Sequence, residues 1–360
     1  MALATQRTWW TWAWPALAWV VLIASAFLGA GTVIATAASV VLIATVLAAV
    51  YHAEVVAHRV GEPFGTLVLA VAVTVIEVAL IVSVMVASPD ESAGLPRDTV
   101  FAAVMIVCNG IVGICLLAGG VRHYEQGFQL QGASAALAVL AVLTVLTLVL
   151  PNFTTSVAGP VFSVSQLVFA GVVSLVLYGA FVFVQTVRHR DYFLPSDADD
   201  EAAHAPPPAN RTALISAGLL LVALVAVVGL AKVLTPSLKA GVAWLGAPPA
   251  IVGIVIAALV LLPEGLAALK AARVNRLQTS LNLALGSALA SIGLTVPVVA
   301  VVSIVLKQPL ELGLDLKDQV LLALTLLVGV ITLGTGRTTV LQGIVHLVMF
   351  AAFLFLALVP

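Results

Sequence analysis

Apolar runs of about twenty residues recur along the whole chain, separated by short clusters of charged residues, proline and glycine. A bilayer crossing needs roughly 20 consecutive apolar residues. On that length the pattern predicts an all-α membrane protein with eleven transmembrane helices. They are placed near 13–31, 32–56, 63–87, 99–120, 133–151, 163–187, 212–232, 240–262 (with the apolar pattern running on towards 272), 279–306, 317–333 and 338–358. An odd count puts the two termini on opposite sides.

Two stretches of this pattern are alike. Residues 61–81 read GEPFGTLVLAVAVTVIEVALI, and residues 251–271 read IVGIVIAALVLLPEGLAALKA. Each is an apolar helix carrying one glutamate, Glu77 or Glu264. Each is followed by a helix with a polar interruption, Asn109 in the first case and Ser287 with Ser291 in the second. The glutamate helices are the third and the eighth, so one runs outward and the other inward. The expected organisation is a first helix (1–31), a five-helix repeat (32–187), a linker (188–211) and an inverted five-helix repeat (212–360). Transporters built this way hold their substrate near the midplane, where the repeats meet.

Composition supports the membrane reading: 62% of the 360 residues are hydrophobic and 9% are charged, against roughly 25% charged in a soluble domain. A net charge of −1 gives no reason to expect nucleic acid. Cys108 and Cys115 fall seven residues apart on one helix, roughly 10 Å between Cα atoms, too far for a disulfide. Trp9, Trp10, Trp12, Trp14 and Trp19 crowd the first helix, as an interfacial belt would place them. This predicts a retained helix, not a cleaved signal. With the N-terminus inside, the inner segments hold ten Lys or Arg residues (Arg7, Arg59, Arg122, Arg188, Arg190, Arg211, Lys270, Arg273, Arg276, Arg337). The outer segments hold five (Arg97, Lys232, Lys239, Lys307, Lys317). The positive-inside rule then puts the N-terminus in the cytoplasm and the C-terminus outside. The linker, with Asp197, Asp199, Asp200, Glu201 and Pro206 to Pro208, reads as an acidic, Pro-rich cytoplasmic segment.

Of the sixteen acidic residues, all but Glu54, Glu77 and Glu264 fall in the predicted loops or at their edges. An ionised carboxylate at the bilayer centre costs at least ~2.5 kcal/mol. Burial therefore favours the protonated acid unless a cation is present. Proton and cation compete for the same oxygens, and that competition is the basis of antiport. Pro263 before Glu264, and Gly265 after it, predict disturbed backbone whose freed carbonyls face the site. Asn109, Ser287, Ser291, Thr74 and main-chain carbonyls are candidate neutral ligands beside the two carboxylates. Two protons or one divalent ion each neutralise the pair, whereas one sodium leaves a negative charge, which favours calcium. His52, Glu54 and His58 cluster near the cytoplasmic end of helix two as a polar patch. His346, on the last helix, reads as a packed polar residue.

Three stretches resemble the bacterial ChaA-type calcium/proton (sodium, potassium/proton) antiporters of the cation/calcium exchanger superfamily. They are HAEVVAHRVGEPFGTLVLAVAVTVIEVALI at 52–81, LTLVLPNF at 146–153, and LLPEGLAALKAARVNRLQTSLNLALGSALASIGLTVP at 261–297. The resemblance covers nearly the whole chain. It implies the exchanger fold, a multi-pass protein of the bacterial inner membrane, and exchange of cytoplasmic cation for protons. It also implies Glu77 and Glu264 as the paired cation-binding acids, with Glu54 as a supporting acid. The wider family often has Gly-Asn upstream of each glutamate; here Thr74-Val75 and Leu261-Leu262 stand there. Fewer side-chain oxygens flank the carboxylates, which leaves calcium, sodium and potassium open as substrates. No cofactor is expected beyond the transported ions. The rivals are a passive cation channel, which needs no protonatable ligands, and an intramembrane enzyme. No serine–histidine or paired-aspartate arrangement at membrane depth supports the latter.

Overall fold

Eleven helices account for nearly all of the computed structural model, which describes residues 9–29, 31–61, 64–87, 93–194, 208–244, 246 and 248–359. They are α1 (Trp9–Leu28), α2 (Thr32–Val60), α3 (Phe64–Ala87), α4 (Leu95–His123), α5 (Leu130–Phe153), α6 (Val164–Arg188), α7 (Asn210–Trp244), α8 (Ala250–Arg273), α9 (Leu277–Leu306), α10 (Leu316–Leu333) and α11 (Val340–Leu358). Ten of them are long and apolar enough to cross a bilayer. In α3 the apolar stretch is the shorter Ala70–Val86. The predicted helix count is found. So is the all-α class, with one small addition: Gln126–Gly127 (β1) pairs antiparallel with Arg337–Thr338 (β2). Cys108 and Cys115 are both buried, free thiols.

Helix seven departs from its expected length. The sequence LTPSLKA at 234–240 reads as a break because it combines Pro236 with two flanking lysines, yet α7 continues through it to Trp244. Proline is tolerated in membrane helices where neighbouring groups re-satisfy the freed backbone. Here the Thr235 hydroxyl bonds back to the Ala231 carbonyl at 2.9 Å. Thirty-five residues at 1.5 Å each span roughly 52 Å, more than the ~30 Å hydrocarbon core. Part of α7 must therefore extend past the apolar layer, and Trp244 at its C-terminal end is exposed. α7 ends at Trp244, Gly246 takes a positive φ, and helix eight starts after the pair Pro248-Pro249, at Ala250 and not near 240. It also continues unbroken through Pro263. The predicted disturbance there is the loss of one hydrogen bond, that to the Leu259 carbonyl, and not an interruption.

By packing, the described residues divide into two compact units, within Met1–Ala87 with Asp200–Gly246, and within Ser88–Asp199 with Ala247–Pro360. In the first, α2 packs against α1, α3 and α7, and the Trp19 indole donates to the Val222 carbonyl of α7 at 3.3 Å. Trp9, Trp12 and Trp19 present exposed faces. In the second, α9 is central, touching α4, α5, α6 and α8. It is lined by small buried residues, Ala284, Ala288, Ala290 and Gly293, which let neighbours approach closely. Each unit takes helices from both sequence halves.

Most of the predicted linker lies outside the described residues, including Asp197 to Pro207. Its first residues are not loose. The Phe193 side chain is buried edge-on against Phe181, and Asn282 Nδ2 donates to the Phe193 carbonyl at 2.5 Å. A Cβ at Gly132 would come within 2.3 Å of the Tyr192 carbonyl oxygen, so α5 must present glycine there.

Candidate cation site

In the first unit, Glu77 sits midway along the apolar stretch of α3. The stripe Val73, Thr74, Ile76, Glu77, Leu80, Ile81 and Val84 is buried, while Val71, Val75 and Val86 are exposed. Glu77 is 3% exposed and therefore lies on the packed face of its helix, not the lipid face. Thr74, 4% exposed, is one turn earlier on that same face. The acid is too far from either helix end to reach water by extending.

The cluster expected on α2 separates. His52 is buried, and its Nε2 lies 3.1 Å from the Thr11 carbonyl of α1. Glu54 and His58 are exposed on another face. Residues two apart on a helix point in different directions, so the three side chains do not converge. Among the described residues, no three His, Cys, Asp or Glu side chains gather into a group that could hold a metal.

In the second unit, Glu264 is 5% exposed on α8. The Ser287 hydroxyl of α9 donates to its Oε2, as expected from residues placed on successive helices. Ser291, 2% exposed, follows one turn later on the same stripe of α9, and Thr295, fully buried, one turn beyond. Sequence reading found Ser287 and Ser291 but missed Thr295, whose Oγ1 is buried with no partner in the protein. The signal was present: 287, 291 and 295 are spaced by four and share a face. Gly265 lets α8 close on α4, since a Cβ there would meet the Ile111 side chain at 3.2 Å.

Asn109 lies in a six-residue π-helical turn of α4, Ile106–Ile111, and is fully buried. Such turns inside α-helices occur frequently at functional sites. Its amide is held on both sides: Nδ2 donates to Thr325 Oγ1 of α10 at 2.9 Å, and Oδ1 lies 3.2 Å from His346 Nδ1 of α11. His346 Nε2 lies 3.1 Å from Thr332 Oγ1. His346 is thus a packed, hydrogen-bonded residue, as its position on the last helix predicts. Thr325 and Thr332 were not singled out from sequence, although their spacing of seven puts them on one face of an apolar helix.

The model of the family described as "Sodium/calcium exchanger protein" matches residues 16–187 and 215–359. Over 322 residues the chain is 54% identical to a Sinorhizobium fredii protein named "Putative ionic transporter y4hA", covering 89% of this chain and 87% of that one. It is 36% identical over 316 residues to the Escherichia coli sodium-potassium/proton antiporter ChaA, covering 87% and 85%. Among solved structures, native YfkE superposes with a TM-score of 0.73 at 17% identity, over 97% of this chain and all of that one. The H+/Ca2+ exchanger CAX gives 0.71 at 14%, over 96% and 87%. At those identities the two structures speak for the fold alone. With eleven helices in that fold and a family model matched across both parts of the sequence, this multi-pass membrane protein belongs to the sodium/calcium exchanger family, within the cation/calcium exchanger superfamily.

Proposed function

We propose that the chain is a secondary active cation/proton antiporter that exports cytoplasmic Ca2+ in exchange for H+ by alternating access, with Glu77 and Glu264 as the groups that bind either ion. The observation that carries this reading is the buried Glu264 carboxylate, hydrogen-bonded by Ser287, on an apolar helix of an exchanger-family protein. Glu77 is its counterpart in sequence, equally buried and equally central on its own helix. Ser287, Ser291, Thr74 and Asn109 are the side-chain oxygens assigned to complete the shell, and calcium's six to eight oxygen ligands would include main-chain carbonyls and water.

Net charge is the argument for calcium. Two protons or one Ca2+ leave a carboxylate pair neutral, so either loaded state can change its exposure without carrying charge through the bilayer. Na+(K+)/H+ exchange at these residues is the second reading, favoured by the 36% identity to a sodium-potassium/proton antiporter. The proposal places the protein in the bacterial inner membrane with its N-terminus cytoplasmic, and needs no cofactor.

The test is a fluorescence assay of antiport in everted vesicles, with calcium, sodium and potassium supplied separately. Glu77→Gln and Glu264→Gln should each abolish exchange at normal membrane levels. Glutamine keeps the size of the neutral acid but cannot ionise to receive a cation. Near-normal exchange by either variant would remove that residue from the mechanism.

A further inference from the structure

With Asn109 Nδ2 placed against Thr325, the buried polar chain around Asn109 donates in one direction. Thr325 Oγ1 donates to the Leu321 carbonyl at 2.8 Å, and Asn109 Nδ2 donates to Thr325 Oγ1. Asn109 Oδ1 can only accept, so His346 Nδ1 must carry the proton in that bond. His346 Nε2 is then free to accept from the Thr332 hydroxyl. A neutral imidazole protonated at Nδ1 satisfies every member, with no charge placed at membrane depth.

The chain ties α10 and α11 to one turn of α4. That turn, Ile106–Ile111, packs against α8 and α9, the helices carrying Glu264 and Ser287. With Nδ2 tied to Thr325 and one lone pair of Oδ1 occupied by His346, the plane of the Asn109 amide is fixed. The second lone pair of Oδ1 has a fixed direction as well. A positioned neutral oxygen binds a cation better than one that must first be ordered.

We infer that His346 is a positioning residue for the cation site: through Nδ1 it fixes the Asn109 amide and the π turn of α4, and so sets cation affinity without touching the ion. This rests on the antiport reading above. It assigns a role to α11, which carries none of the acidic residues.

Two amide substitutions separate this role from general packing. Asparagine at 346 places its side-chain nitrogen close to where Nδ1 stands and can still donate to Asn109 Oδ1. Glutamine reaches further, towards the place of Nε2, and keeps the Thr332 contact in its stead. Leucine keeps neither. Initial exchange rates against cation concentration should be measured in everted vesicles for the parent, His346→Asn, His346→Gln and His346→Leu at matched membrane levels. Half-saturating cation should rise roughly tenfold for His346→Gln and His346→Leu and clearly less for His346→Asn, with maximal rates changed little, because one charge-free buried hydrogen bond is lost in the first two. Cation-induced thermal stabilisation of the purified proteins in detergent should follow that order and does not depend on transport. If the parent exchanges and His346→Gln matches His346→Asn in both measurements, the inference fails while the antiport reading stands. If all three variants lose maximal rate and stability together, the histidine is structural only and the inference fails. If the parent neither exchanges nor is stabilised by any cation, the antiport reading fails and takes this inference with it.

Discussion

Glu264 and Ser287 show what residue-level reading can and cannot reach. A carboxylate midway along an apolar run is costly enough that it must have a partner. The next helix supplied Ser287 as a polar interruption, and the two are hydrogen-bonded. Asn109 was equally visible as a polar residue in an apolar helix. Its partners, Thr325 and His346, were not, because they lie 216 and 237 residues away in sequence. Nor does local sequence report a π turn that neighbouring helices stabilise. The Ser287 contact makes a prediction of its own. Ser287→Ala removes a donor to the carboxylate while leaving both acids in place, so exchange should persist. Losing a hydrogen bond to a charged group costs ~1.5–3 kcal/mol, so half-saturating cation should rise by roughly ten- to a hundredfold. Titration of exchange rate against cation concentration checks this, and an unchanged half-saturation would show that the bond contributes nothing to the cation-bound state.

At the scale of helices, the apolar length of each run was sufficient to place nine of the eleven elements within a few residues, all but α7 and the start of α8. The α7 boundary failed because Pro236 and two lysines are loop signals in water. In a membrane a helix can run past the apolar layer and keep its lysines where headgroups receive them. Packing between helices depends on glycines whose role sequence alone does not disclose. A Cβ at Gly343 of α11 would lie 2.4 Å from the Leu117 backbone nitrogen of α4, and backbone cannot yield as a side chain can. A Cβ at Gly286 of α9 meets nothing within 4 Å. Gly343→Ala should therefore force α11 from α4 and cost ~1–3 kcal/mol. Gly286→Ala should be neutral or stabilising by ~0.5–1 kcal/mol, since glycine weakens a helix interior relative to alanine. Thermal unfolding of the two purified variants in the same detergent reads the difference, and equal shifts would contradict the packing described.

For the whole molecule, two features follow from charge. The first is orientation. The lengthened α7 leaves the ten-to-five division of Lys and Arg unchanged, because Lys232 and Lys239 remain towards its C-terminal end. A tag at the N-terminus should be accessible only in everted membranes and one at the C-terminus only in intact spheroplasts. The reverse pattern would overturn the assigned direction of transport. The second feature is the proposed sharing of Glu77 and Glu264 between proton and cation. On that proposal, protons hold Glu77 and Glu264 at low pH and a cation binds only as they leave. Raising pH increases the fraction of ionised sites, and apparent cation affinity must rise with it until both acids are deprotonated.

That sharing is tested most directly by measuring half-saturating calcium in everted vesicles at several pH values, with the pH gradient held constant. Half-saturation should fall steeply as cytoplasmic-side pH rises and then level off. A value independent of pH across roughly pH 6.5–9 would mean that protons and calcium do not compete for the same carboxylates, and would contradict antiport through Glu77 and Glu264.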